Sequence, residues 1–239
     1  MFCEVCAYVC GFRPNGWKTE ENVMAIERPA MPRPHDLLWG MTAEQLPPDA
    51  PAWAHAALRR YAPVVVRRAP AEPGWIAVGI RGQAREQRCA SWMRLDAIRR
   101  QVSPEAIVRA GRWHAHARPQ WPALRALAQL APRLAECGLA WGVTGSLGFE
   151  LASGLPALHP ASDLDLLLRA PQPVSRAWAQ ALCAQLDGAP GRIDVQLETP
   201  CGALALREWA KGAARVLLKT ASGPLLVGDP WAAVERSVA

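Results

Sequence analysis

Apolar and polar positions along the chain change their rhythm near residue 110. Before it, short runs are separated by turn residues. HDLLWG reads as a short strand or turn, and PVVVRRA, GWIAVGIRG and RCASWMRL read as strands. Only APAWAHAALRRYA carries the three-to-four-residue spacing of an amphipathic helix. The stretch from Arg109 to Pro122, RAGRWHAHARPQWP, is broken by Gly, Pro and polar residues and reads as a linker. Beyond it, helical and strand periods alternate. PALRALAQLAPRLAECG is a helix closing at Gly138, LAWGVTG a strand, SLGFELASG a short helix with Ser146 at its N-cap, and SDLDLLLRA a strand. SRAWAQALCAQLDG, RIDVQLET and ALALREWAKG then read as helix, strand and helix. ARVLLKTASGPLLVG reads as a hairpin and PWAAVERSV as a closing helical turn. The expected class is α+β, with a small N-terminal α+β domain over residues 31–115 and an α/β domain with a mixed sheet over 116–239. Residues 1–30 end in the Pro-rich, aperiodic ERPAMPRPHDLLW and read as a disordered extension before Met31.

One strand breaks its own pattern. Asp163 and Asp165 interrupt an aliphatic run, where a buried strand calls for Leu and Val. Residues two apart on a strand share a face, so both carboxylates aim the same way while Leu164 and Leu166 turn into the core. Converging carboxylates repel unless a cation lies between them, and hard oxygen ligands suit Mg²⁺. Asp194, between Ile193 and Val195 in the next apolar strand, supplies a third carboxylate if the two strands are neighbours. Such a set can steady an attacking oxygen and a polyphosphate leaving group. Upstream, Gly145 permits close backbone approach, and Ser146 opens a helix whose free N–H groups attract phosphate. A plain strand-turn-helix connection would use the same two residues.

Composition narrows the partners. A formal charge of +6 favours an anionic one, a polyphosphate or acidic protein before nucleic acid, although the arginines are spread along the chain. Arg81, Arg85 and Arg88 cluster just after a strand, and with Arg192 and Lys219 they are the candidates for phosphate contacts. No apolar run is long enough to cross a bilayer and the N-terminus lacks a signal-peptide core, which predicts a cytoplasmic protein without a membrane partner. The seven cysteines are too scattered for a disulfide scaffold. A metal reading of Cys3, Cys6 and Cys10 lacks a fourth ligand, and one of His114 and His116 lacks a third.

Gly145-Ser146, Asp163-Leu164-Asp165 and Asp194 together resemble the nucleotidyltransferase superfamily typified by DNA polymerase beta, with a longer spacer than most members have between Ser146 and Asp163. RPHDLLW, VGIRGQAREQR, GSLGFELASGLPALHPASDLDLLL and LLKTASGPLLV look, more closely, like the phosphoribosyl-dephospho-CoA transferase family, the holo-acyl-carrier-protein synthases of malonate decarboxylase. The resemblance runs from about Arg33 to the C-terminus. It implies a polymerase-beta-like nucleotidyltransferase domain, Mg²⁺ or Mn²⁺ as cofactor, and Asp163, Asp165 and Asp194 as catalytic and metal-binding residues. It also implies transfer of the phosphoribosyl-dephospho-CoA group from triphosphoribosyl-dephospho-CoA to a serine of the malonate decarboxylase acyl carrier protein, with release of pyrophosphate. Two other readings stay open: a nucleotidyltransferase acting on a small molecule or RNA, and a catalytically silent module that only binds a partner.

Overall fold

The structure is a computed structural model and describes residues 31–84 and 86–232. The expectations for residues 1–30, for Arg85 and for most of the closing turn lie outside these. The first half comprises β1 (Leu37–Trp39), α1 (Ala52–Arg59), β2 (Val64–Val66), β3 (Trp75–Arg81), β4 (Arg88–Arg94) and β5 (Arg100–Val102). These strands form an antiparallel sheet in the order β4-β3-β2-β1-β5. One face carries Val64, Val66, Val78, Ile80 and Met93, and it buries them against Ala54 and Leu58 of α1. Full burial of such side chains stabilises by roughly 1.5–3 kcal/mol each.

The second half begins just ahead of the expected linker and runs into it. α2 (Pro104–Ala110) forms there because Ser103 accepts a hydrogen bond from the Ala106 N–H at 3.2 Å, Pro104 needs no N–H partner in the first turn, and Gly111 closes the helix in the left-handed conformation. A 3₁₀ turn over Arg112–Ala115 follows and buries Trp113. The segment is therefore packed structure, because its cap residues and one tryptophan outweigh its polar composition. Then come α3 (Pro122–Ala135), β6 (Ala140–Val143), α4 (Gly145–Ser153), β7 (Leu164–Arg169), α5 (Arg176–Asp187), β8 (Ile193–Thr199), β9 (Gly202–Ala205), α6 (Leu206–Ala210), β10 (Val216–Thr220) and β11 (Gly223–Val227). The helix expected over 203–212 is shorter than its pattern. Residues 202–205 are taken into the sheet by antiparallel pairing with β8, and only Leu206–Ala210 coil.

The second sheet runs β11-β10-β9-β8-β7-β6. It is mixed: β7 and β8 are parallel, joined through α5, and the other pairs are antiparallel. The α+β class read from the pattern holds. Leu164, Leu166 and Leu168 face a core built with Leu127 and Leu130 of α3, Leu147 of α4 and Leu182 of α5, as the alternation required. α2 lies so close to β6 that a Cβ on Gly142 would overlap the Pro104 backbone.

Candidate active site

The parallel register of β7 and β8 sets Asp165 directly opposite Asp194. Neighbouring strands stand about 4.8 Å apart, so two carboxylates share one sheet edge. Asp163 immediately precedes β7. Arg192, itself mostly exposed, reaches both ends of this group, with Nε 3.9 Å from Asp163 and Nη2 3.3 Å from Asp194.

The end of β6 brings the Gly-Ser turn to the same place. The Thr144 N–H donates to the Asp165 carbonyl at 2.9 Å, and Thr144, in extended conformation, is the N-cap of α4. Ser146 is therefore not the cap expected from the sequence. It lies inside the first turn, because Gly145 at φ 63° already turns the chain into the helix. A side chain at Gly145 would be strained and its Cβ would overlap the Asp165 carboxylate. The first N–H groups of α4 have no carbonyl partner within the helix, and its dipole favours an anion there.

Freed from capping, the Ser146 hydroxyl accepts a hydrogen bond from Arg81 Nη2 at 2.7 Å. Arg81 also donates to the Ala157 carbonyl at 3.3 Å, and its guanidinium lies 5.6 Å from the centre of the Phe149 ring. Burial, helped by the neighbouring Arg88 charge, lowers the Arg81 pKa to about 10, and the negative charges of Asp165 and Glu150 oppose that shift. It stays a cation at neutral pH. Its Nε is buried with no hydrogen-bond partner among the described residues. Glu150 secures the chain beyond α4 by accepting from the Ala157 and Leu158 N–H groups, both at 2.7 Å, and His116 lies 3.0 Å from its other oxygen. Burial works to raise the Glu150 pKa, but these bonds outweigh it and the net shift is downward. His114 instead stacks on Trp113. The two histidines hold structure separately and do not share a face.

A cavity of about 770 Å³ opens between the two sheets over this edge. Of the sequence candidates, Arg81, Arg88, Gly145, Asp165, Asp194 and Lys219 line it. Ser146 stands beside it through Arg81, while Asp163 and Arg192 are outside the lining. His35, Arg67, Gln196 and Arg207 also line the cavity, and sequence reading did not single them out. No local signal marked them, since each reaches the site only through strand pairing or sheet packing.

Behind the cavity is a buried ionic network. Arg169 Nε donates to Glu105 at 2.8 Å, with Asp36 and Glu198 each 3.9 Å from the guanidinium. Glu198 is also paired with Arg68, and Gln101 donates to Asp36 at 2.7 Å. Burial would raise Glu198, but hydrogen bonds from His35 and Arg68 and the Arg68 charge overcome it and hold the carboxyl down to about 2. Asp36 shows the opposite balance: burial dominates and pushes its pKa up.

Among the described residues, no three His, Cys, Asp or Glu side chains converge as a metal-holding group. The donor chemistry of the sheet edge nonetheless suits a hard divalent cation, because it is made of carboxylates alone, two of them register partners. No helix among the described residues is long and apolar enough to cross a membrane.

Residues 108–230 match the family model described as the C-terminal domain of phosphoribosyl-dephospho-CoA transferase MdcG, and residues 33–104 match that of its N-terminal domain. The chain is 59% identical over 206 residues to a phosphoribosyl-dephospho-CoA transferase of Pseudomonas putida (strain GB-1), a match covering 86% of this chain and 98% of that one. It is 57% identical over 205 residues to the protein of that name from Azotobacter vinelandii, covering 84% and 95%. For the one from Pseudomonas aeruginosa the identity is 54% over 210 residues, covering 88% and 99%. No solved structure matches the chain.

Proposed function

The chain belongs to the phosphoribosyl-dephospho-CoA transferase family, and on that premise we propose that it transfers the phosphoribosyl-dephospho-CoA group of triphosphoribosyl-dephospho-CoA to a serine of the malonate decarboxylase acyl carrier protein. The observation that carries this reading is the Asp165–Asp194 pair facing a cation-lined cavity beside the start of α4. A triphosphate needs several positive groups and backbone donors at once. Arg81, Arg88, Lys219 and the first N–H groups of α4 supply them. Arg192 is within reach of the same edge, and Arg85 is assigned to this set from its place in the sequence alone.

In the proposed reaction the carrier serine Oγ forms a bond to the phosphorus next to the ribose, and the bond from that phosphorus to the pyrophosphate oxygen breaks. Asp194, the most exposed of the three carboxylates at the edge, takes the serine proton. Asp163, Asp165 and Asp194 would hold Mg²⁺ or Mn²⁺, which when bound neutralises charge on the phosphate oxygens. Arg81, tied to Ser146, keeps its guanidinium turned to the phosphates without rearranging.

Incubating the protein with Mg²⁺, triphosphoribosyl-dephospho-CoA and the carrier protein should add the phosphoribosyl-dephospho-CoA mass to one carrier serine and release one pyrophosphate. An unmodified carrier, with pyrophosphate still released onto water or another acceptor, would reject the acceptor. No pyrophosphate release at all would reject the reaction.

A further inference from the structure

Strand register lines up small side chains on one face of the first sheet. Val65 of β2 stands opposite Gly79 of β3, and Gly79 opposite Ala90 of β4. Their chain neighbours Val64, Val66, Val78 and Ile80 pack on the α1 side, so alternation turns this row the other way, toward the cavity that all three line. The row is an apolar floor, open at its centre because Gly79 carries no side chain.

Both ends of the floor are cationic. At one end stand Arg81 and Arg88, themselves register partners, with Arg81 bonded to Ser146 at the start of α4. At the other is Arg67, which continues the pairing of β2 by donating its N–H to the Ala77 carbonyl at 2.9 Å. Ala77 and Arg81 are about 13 Å apart along β3 at the strand rise of ~3.3 Å per residue. From beside Ala77 the Arg67 stem runs diagonally onto the floor: a Cβ built on Gly79 would lie 3.3 Å from Arg67 Cδ and 3.5 Å from its Cγ. Arg67 is exposed and lines the cavity, and among the described residues its guanidinium has no hydrogen bond or ion pair. Its neighbour Arg68, by contrast, is paired with Glu198.

Two cationic groups separated by an apolar floor match a ligand whose two anionic groups are separated by a nucleoside. Triphosphoribosyl-dephospho-CoA is such a molecule, since its adenosine carries the triphosphate-bearing ribose on one side and the diphosphate leading to pantetheine on the other. We propose that Arg67 binds this second, non-reacting diphosphate, with the adenosine lying over Val65, Gly79 and Ala90. A guanidinium fork suits a diphosphate. No bond is made or broken there, and the contact serves to place the triphosphate at the Arg81 end. The assignment rests on the reading of the cavity as the donor site given above.

Two probes separate the two ends, each titrated by calorimetry into the full-length protein. Dephospho-CoA has the second diphosphate and no triphosphate, and inorganic pyrophosphate with Mg²⁺ stands for the reacting end. Arg67→Met removes the guanidinium from an exposed position, and Gly79→Val puts a branched side chain on the floor in a strand, where such residues are favoured. Each variant should bind dephospho-CoA about tenfold more weakly and raise donor KM by a similar factor, with pyrophosphate affinity within about twofold of wild type. Unchanged dephospho-CoA affinity in Arg67→Met, or equal loss of both probes, would overturn the role of Arg67, and unchanged affinity in Gly79→Val would overturn the floor. A wild-type protein that binds pyrophosphate and not dephospho-CoA has no such subsite. If neither probe binds the wild-type protein, the donor reading of the cavity falls, and this assignment with it.

Discussion

Arg81 and Ser146 stand 65 positions apart in the chain, and a 2.7 Å hydrogen bond joins them. One closes a strand of the first sheet and the other lies in the opening turn of α4 on the second. The bond places a cation from one half against the helix N-terminus of the other, so neither half alone assembles this wall of the cavity.

Removing that cation should affect substrate more than fold. Arg81→Met keeps apolar volume while deleting a guanidinium whose Nε is buried without a partner among the described residues. Donor KM is expected to rise about tenfold to a hundredfold, as for loss of a charged hydrogen bond, with the melting temperature changed by only a few degrees. A collapse in thermal stability with unchanged KM would assign Arg81 to structure.

Each of Asp163→Asn, Asp165→Asn and Asp194→Asn should lower the transfer rate by about a thousandfold or more while leaving metal-free melting unchanged or slightly higher, since like charges are removed. Titrating the rate against Mg²⁺ separates the three. Loss at Asp163 or Asp165 should weaken the metal dependence, whereas Asp194→Asn should lose turnover and keep binding donor with metal. Near-wild-type rates in a folded Asp165→Asn protein would remove the metal-binding assignment.

Gly145→Ala is the smallest change that should disable the site. Alanine at φ 63° costs about 1–2 kcal/mol, and its Cβ must displace the Asp165 carboxylate. Melting should fall by several degrees and activity by far more than that loss of stability explains. Wild-type activity would show that Asp165 tolerates displacement.

Acid should expose the Glu198 network. The folded-state pKa of about 2 lies below the ordinary 4.5, so ionised Glu198 stabilises the fold above the ordinary value, and that stabilisation is lost as pH falls from there toward 2. The contribution is on the order of 3 kcal/mol. Glu198→Gln should lower stability at pH 7 and flatten the acid limb of a stability-versus-pH curve. An unchanged limb would place the acid sensitivity elsewhere.

The sequence by itself determined what depends on neighbours along the chain. The alternation of Leu164, Asp165 and Leu166 set which of them turn into the core, because successive strand side chains point to opposite faces. Ser103, Pro104 and Gly111 likewise carry the capping signature of α2, although the pattern reading assigns no helix ahead of the linker at Arg109. Only the tertiary structure decided the rest. Residues 203–205 have a helical pattern and became a strand because β8 offered a row of unpaired backbone groups, a saving larger than any propensity difference. The register that sets Asp165 against Asp194 and the reach of Arg81 to Ser146 join residues far apart in the chain. Their physical cause is burial and hydrogen bonding summed over two packed sheets, a sum that no window of local sequence contains.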